Sequence, residues 1–177
     1  MGELINCLEA AKRVEDKINL CIVSEEEISD NASPALSNIR RQIRHAQNSI
    51  KDKLNDLIRS SKYQKYMQES IVTMRGDRYV IPVKQEYRAE IPGLIHDSSA
   101  SGATLFVEPM AVVEANNAIR ELKLKEQVEI ERILQELSGD VAQISTALSS
   151  NITLLAKLDF IFAKAKLSLD YNCVCPK

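Results

Sequence analysis

PALSNIRRQIRHAQNSIKDKLNDLIRSSKYQKY, residues 34–66, is the stretch on which the fold turns. Leu36, Ile43, Ile50 and Leu57 recur every seven residues, with Ile39 and Ala46 at the interleaved position. That is the spacing of a coiled-coil seam. Ser33 before Pro34 supplies the start: a hydroxyl at the N-cap, then a ring already fixed at the helical φ. One helix running from 34 to about 66 is predicted.

Upstream, Leu4, Leu8, Ala11, Val14, Ile18 and Cys21 keep the same three-to-four spacing and predict a helix over 3–23. SEEEISDNASP at 24–34 breaks it. Downstream, the texture changes between 70 and 108. SIVTM, RYVIPV, GLIH and ATLFVE are β-branched clusters, and Gly76-Asp77 between the first two suits a two-residue hairpin turn. Pro82 has no ladder N–H, so it makes its strand an edge or ends pairing there. Ser98–Gly102 reads as a flexible loop. A small antiparallel sheet of about four short strands is expected.

Pro109 restarts a helix after Glu108, and from Val112 no Gly or Pro intervenes before Gly139. Ile130, Ile133, Leu137, Val141, Ile144, Leu148, Ile152 and Leu155 carry the seam past that glycine. One glycine costs a helix about 1 kcal/mol, too little to end such a pattern. The expected helix runs from 109 to 150, with a last helical stretch, LLAKLDFIFAKAKLSL, ending near Asp170. Two seams of similar length must bury each other. The fold class predicted is therefore mainly α: an antiparallel helical stalk with a small β insertion at its tip. Its parts are 1–69, 70–108 and 109–177.

Composition agrees. Among 177 residues there are 5 Gly, 5 Pro and 5 % aromatics, which argues against a sandwich or barrel. A net charge of −2 excludes a wholly basic DNA-coating protein and an acidic disordered tail. The apolar runs are far too short for a membrane span. MGELINCLEAAKRVED lacks a signal-peptide core, and Asn6 stands where myristoylation wants Ser or Thr, so the cytoplasm is expected. Cys7, Cys21, Cys173 and Cys175 form no paired array and are expected as reduced, packed thiols.

Charge is segregated. Residues 40–65 hold eight bases against two acids, and 108–140 hold eight acids against four bases. The two helices are expected to pair across these flanks. Arg75, Arg78, Lys84 and Arg88 lie on the hairpin or its edge, where no acidic helix obviously reaches Arg75 and Arg78. These four are the candidate contacts to a nucleic-acid backbone.

Catalytic constellations fail one by one. There is no GxxxxGK[ST] phosphate loop. Ser98, Asp97 and His96 alternate across a strand and cannot form a relay. Glu126, Glu129 and Glu131 read as a solvated helix face. Arg75-Gly76-Asp77 spells an adhesion tripeptide without any other extracellular feature.

VTMRGDRYVIPVKQEYRAEIPGLIHDSSASGATLFVEPMAVVEANNAIRELKLKEQVEIERIL, with ISDNASPALSNIRRQI before it and LLAKLDFIFAKAKLSLDYNCVCP after it, resembles the middle of the bacterial MutS type-two family. These are mismatch-repair-like proteins without a mismatch-reading domain. The resemblance implies core and lever helices with a clamp at their tip. It implies a whole protein that is an ATPase and endonuclease using ATP and Mg, with those domains following Pro176-Lys177 and none of their residues here. It also implies a homodimer that encircles DNA and limits recombination, with family members acting in ribosome rescue. DNA and ribosomal RNA backbones, and the ATPase domain of the same chain, are the implied partners. The expected function is a non-catalytic clamp and lever module. The alternative is a coiled-coil dimerisation scaffold whose tip contacts protein.

Overall fold

A computed structural model describes residues 6–172. The chain divides into two units. One is Asp30–Glu131, and the other joins the segments that end at Ser29 and resume at Arg132.

In the second of these units, α1 (Lys12–Cys21) leads into strands β1 (Ile22–Ser24) and β2 (Glu27–Ile28), an antiparallel pair with Ile22 opposite Ile28. That pair takes Ile22 and Val23 from the end of the predicted helix and continues into the stretch expected only to break it. The helix predicted over 3–23 is interrupted: Asn6 is helical, residues 8–11 are not, and α1 takes up from Lys12; Leu4 lies outside the described residues. The cause is a competing bond. The Asn151 amide accepts from the Glu9 N–H at 3.0 Å and donates to the Glu9 carbonyl at 2.7 Å, taking the groups a helix would use. Cys21 is packed as expected, but Cys7, outside the helix, is exposed; Cys173 and Cys175 lie outside the described residues.

The central unit is built on α2 (Pro34–Arg59). Ser33 caps it as predicted, accepting the Leu36 N–H at 3.0 Å with Pro34 in the first turn. Leu36, Ile43 and Ile50 are buried in heptad register, but the stripe then moves to Leu54 and Ile58, while Leu57 is half-buried. A straight helix drifts about 20° per heptad. At this end α2 covers a sheet, not a helix, so nothing holds the heptad register. The helix stops at Arg59, short of 66. Ser60 turns extended before a single turn, α3 (Ser61–Gln64).

Four strands follow: β3 (Thr73–Arg75), β4 (Arg78–Lys84), β5 (Gly93–Ser98) and β6 (Thr104–Pro109), in antiparallel order β3-β4-β6-β5. Gly76 and Asp77 both have positive φ, +51° and +63°, the geometry of a primed two-residue hairpin turn. Pro82 neither makes an edge nor ends pairing. β6 continues opposite it on one side. On the other, β3 ends opposite Val80 and residues 66–68 take over, Met67 bridging Val83 and the Pro82 carbonyl accepting the Gln68 N–H at 3.0 Å. The missing N–H thus falls where β3 has already given way. Gly93 passes so close to the Glu108 carbonyl that no Cβ would fit there.

α4 (Met110–Gln143) passes through Gly139 as expected but ends at Gln143, not 150. The Ile144 N–H bonds three residues back to Val141, and the Ser145 hydroxyl donates to the Ala142 carbonyl at 2.8 Å. Both tighten the chain out of α geometry. α5 (Ser145–Asp170) follows. Ile133 and Leu137 are buried as predicted, but Ile152 and Leu155 are exposed. Among the described residues no helix is long and apolar enough to cross a membrane.

The core of the central unit joins Ile50, Leu54 and Ile58 of α2 to Tyr79, Ile81 and Val83 of β4, Val107 of β6, and Val112 and Ile119 of α4. The expected flank pairing occurs at Arg40, whose guanidinium bonds Glu126 of α4 at 2.7 Å and Asp30 at 2.6 Å. The Arg40 guanidinium holds the Asp30 carboxyl below its ordinary range.

Candidate nucleic-acid interface

The predicted cations are carried by β3, β4 and the turn that follows β4. Arg78 opens β4 and Lys84 closes it. Six residues of strand separate their Cα atoms by about 20 Å at roughly 3.3 Å per residue. The four residues therefore form two groups, one at each end of β4.

At the hairpin end the cations are engaged inward. Glu108, the penultimate residue of β6, is fully buried. Its carboxylate accepts from Arg78 Nη1 at 2.9 and 3.1 Å, from Asn116 Nδ2 at 2.7 Å, and is 2.5 Å from His96 Nε2. Arg78 Nη2 also donates to Asn117 at 2.6 Å. A buried carboxylate survives only when paired and hydrogen-bonded, and these partners do both. No acidic helix is expected to reach Arg78; the acid that does reach it, Glu108, comes from a strand. Asn116 has a second task. Its amide accepts the Tyr79 N–H and donates to the Tyr79 carbonyl, both at 3.2 Å, standing in for a neighbouring strand where β6 has become helix. Arg75 lies 3.9 Å over the Phe106 ring, with Nε 3.3 Å from Asp97 and Nη1 2.8 Å from the Met74 carbonyl.

The other end of β4 differs. Lys84 Nζ donates to the Lys65 carbonyl at 3.3 Å, and the Lys84 N–H to the Tyr66 carbonyl at 2.9 Å. This draws α3 and its sequel against the strand. Lys62 lies 5.1 Å from the centre of the Tyr63 ring and Lys65 4.9 Å from that of Tyr66. Tyr66 meets Tyr63 edge-on at 6.4 Å and Tyr87 at 5.0 Å. Arg88 follows Tyr87 in an exposed turn. Among the described residues, no carboxylate lies within ion-pairing distance of Lys62, Lys65, Lys84 or Arg88. Glu86 is the acid on the same short turn.

This corner holds two of the four predicted cations and adds Lys62, Lys65 and three tyrosines. A signal for them was present. Lys62-Tyr63, Lys65-Tyr66 and Tyr87-Arg88 are three basic–aromatic pairs, and the first two are three residues apart, on one face of a turn. Chemically the corner can neutralise phosphates, while the buried Tyr66 and the half-buried Tyr63 and Tyr87 anchor it to the core. No group of His, Cys, Asp and Glu among the described residues could hold a metal ion.

No family model matches this chain. Individual proteins do. The endonuclease MutS2 of Acetivibrio thermocellus is 74 % identical over 176 residues, covering 99 % of this chain and 22 % of that protein. That of Ruminiclostridium cellulolyticum is 69 % identical over 175 residues, with the same coverage, and that of Clostridioides difficile 54 % identical over 173. The chain spans about a fifth of the length of these curated relatives.

Proposed function

Because the chain belongs to the MutS2 family over nearly its whole length, we propose that it is a non-catalytic module that holds nucleic acid by its backbone within a larger MutS2 protein. In this reading residues 1–69 and 109–177 supply core and lever helices, and 70–108 the clamp. The endonuclease activity for which the relatives are named, together with the ATP and Mg chemistry, lies outside this stretch, which has no glycine-rich phosphate loop. The protein works in the cytoplasm, and the full-length form is a homodimer.

One observation carries the reading: Lys62, Lys65, Lys84 and Arg88 have no carboxylate partner among the described residues. Lys62 and Lys65 lie against the Tyr63 and Tyr66 rings, Lys84 is bonded to the Lys65 carbonyl, and Arg88 is in the turn after Tyr87. Paired surface cations are already neutralised; these four are available to phosphate. Arg75 and Arg78 can join only by giving up internal partners. Nothing in the corner presents a helix end to a groove, so binding is independent of base sequence. DNA and ribosomal RNA backbones are both suitable ligands. The scaffold alternative has its own support in the exposed Ile152, Leu155, Phe160 and Phe162 of α5, a surface suited to protein contact.

Fluorescence anisotropy over a salt series separates the two. With three or four phosphates neutralised, log K against log salt should fall with a slope of roughly −3 to −4 on duplex DNA. Lys65→Ala, Lys84→Ala and Arg88→Ala together should flatten it by about 2 to 3, equally for any sequence and with an unchanged melting temperature. An unchanged slope in this triple variant would favour the scaffold.

A further inference from the structure

A cleft of about 220 Å³ opens between the hairpin turn and α4, lined by Gly76, Asp77, Arg78, Asn116, Arg120 and Lys123. Its volume is several times the roughly 30 Å³ of one water in the liquid, room for a small oxyanion with part of its hydration. Its lining carries three cations. Arg78 is matched by Glu108 behind it, and Lys123 by Asp77 at 2.8 Å. Arg120 has no carboxylate within ion-pairing distance among the described residues, so the cleft keeps an excess positive charge.

Asp77 is the odd member. It sits at the tip of the turn with positive φ, its side chain 75 % exposed, and reaches back across the cleft mouth to Lys123. A carboxylate so exposed gives up its water for nothing but Lys123. A doubly hydrogen-bonding oxyanion could instead bridge Lys123 and Arg120. We propose that this cleft is a seat for one phosphate group, and that the Asp77 carboxylate is its built-in occupant, displaced when phosphate arrives. The lowering of the Asp77 carboxyl by Lys123 first, and by the field of Arg120 last, fits a carboxylate already standing in for the anion. The proposal rests on the nucleic-acid reading only for the carrier of that phosphate. A backbone phosphate and free inorganic phosphate present the same oxygens. The seat lies at the hairpin end of β4, remote from the Lys–Tyr corner, so a bound backbone would be held at two points.

The test uses two probes on the same protein: inorganic phosphate followed by the amide shift of Gly76, and a labelled duplex followed by anisotropy. Asp77→Asn keeps a residue that tolerates the left-handed turn and removes the competing charge. It should tighten both by about fivefold, the factor that one unit charge a few ångströms away is worth in water. Arg120→Gln, on an exposed helix face, should weaken both by a similar factor. If both variants leave the phosphate titration and the duplex affinity at wild-type values, the seat is overturned. If the wild-type protein binds no duplex but Gly76 still responds to phosphate, the nucleic-acid reading falls while the seat stands, serving free phosphate.

Discussion

The two ends of β4 carry the same charge and use it oppositely. At Arg78 the guanidinium faces a fully buried carboxylate and closes a network with His96, Asn116 and Asn117. At Lys84 and Arg88 the cations have no acidic partner among the described residues, and Lys84 bonds the Lys65 carbonyl instead. The difference lies in the neighbours. β6 delivers Glu108 to one end of β4, whereas the backbone of residues 65–68 approaches the other end and brings carbonyls and rings but no carboxylate. A cation is free for a ligand only where the fold has not already spent it.

The sharpest way to break this comparison is Arg78→Ala. Removing it leaves Glu108 buried with a partly exposed histidine and an amide as its remaining partners. Breaking a buried pair from one side costs about 3–5 kcal/mol, far beyond the ±0.5 kcal/mol typical of a surface site. Arg88→Ala, by contrast, should leave the urea midpoint unchanged. Adding Glu108→Gln to the Arg78 variant should recover part of the loss, because the stranded charge goes with it. Equal midpoints for the two single variants would show that the network does not hold the sheet.

Tyr66→Ala sharpens the comparison from the other end. The ring is buried in the core cluster while its neighbour Lys65 is exposed. Truncating a large buried aromatic costs roughly 3 kcal/mol, and Lys65→Ala should cost almost nothing. The corner would then divide into rings that hold it and cations that serve it. A Tyr66 variant melting like the wild type would mean that α3 is not anchored by this ring.

Much of this arrangement is legible in the sequence, and what is legible is local. Ser33-Pro34 and the Gly76-Asp77 turn each follow from the chemistry of one or two adjacent residues. The illegible features depend on residues distant along the chain. The start of α1 is set by Asn151, 142 positions from Glu9. The engagement of Arg78 is set by Glu108, 30 positions on. No periodicity encodes either. The heptad in α2 misleads only where its partner changes from helix to sheet, since a seam is a statement about two elements. The Lys–Tyr corner lies between these cases: its pairs are visible in the sequence, but their grouping with Lys84 needs the turn after β4.

The smallest effect concerns Asp77, and its value is in its sign. Lys123 holds the Asp77 carboxyl below its ordinary range in the folded protein. A depressed carboxyl binds protons less readily folded than unfolded, so its contribution to stability is present above the unfolded value, about 3.9. It is lost as pH falls through the folded value. The pair is exposed, so the contribution is small and screened by salt. Asp77→Asn shifts the melting temperature by a pH-independent amount through its turn preference, and by a pH-dependent amount through the missing charge. Only the second part tests the ion pair. In low salt, the wild type should lose ground against the variant as pH falls from about 6 to about 3, and added salt should erase that drift. A wild type that instead gains on the variant on acidification would mean that Asp77 is not held by Lys123, and the cleft would have no internal occupant to displace.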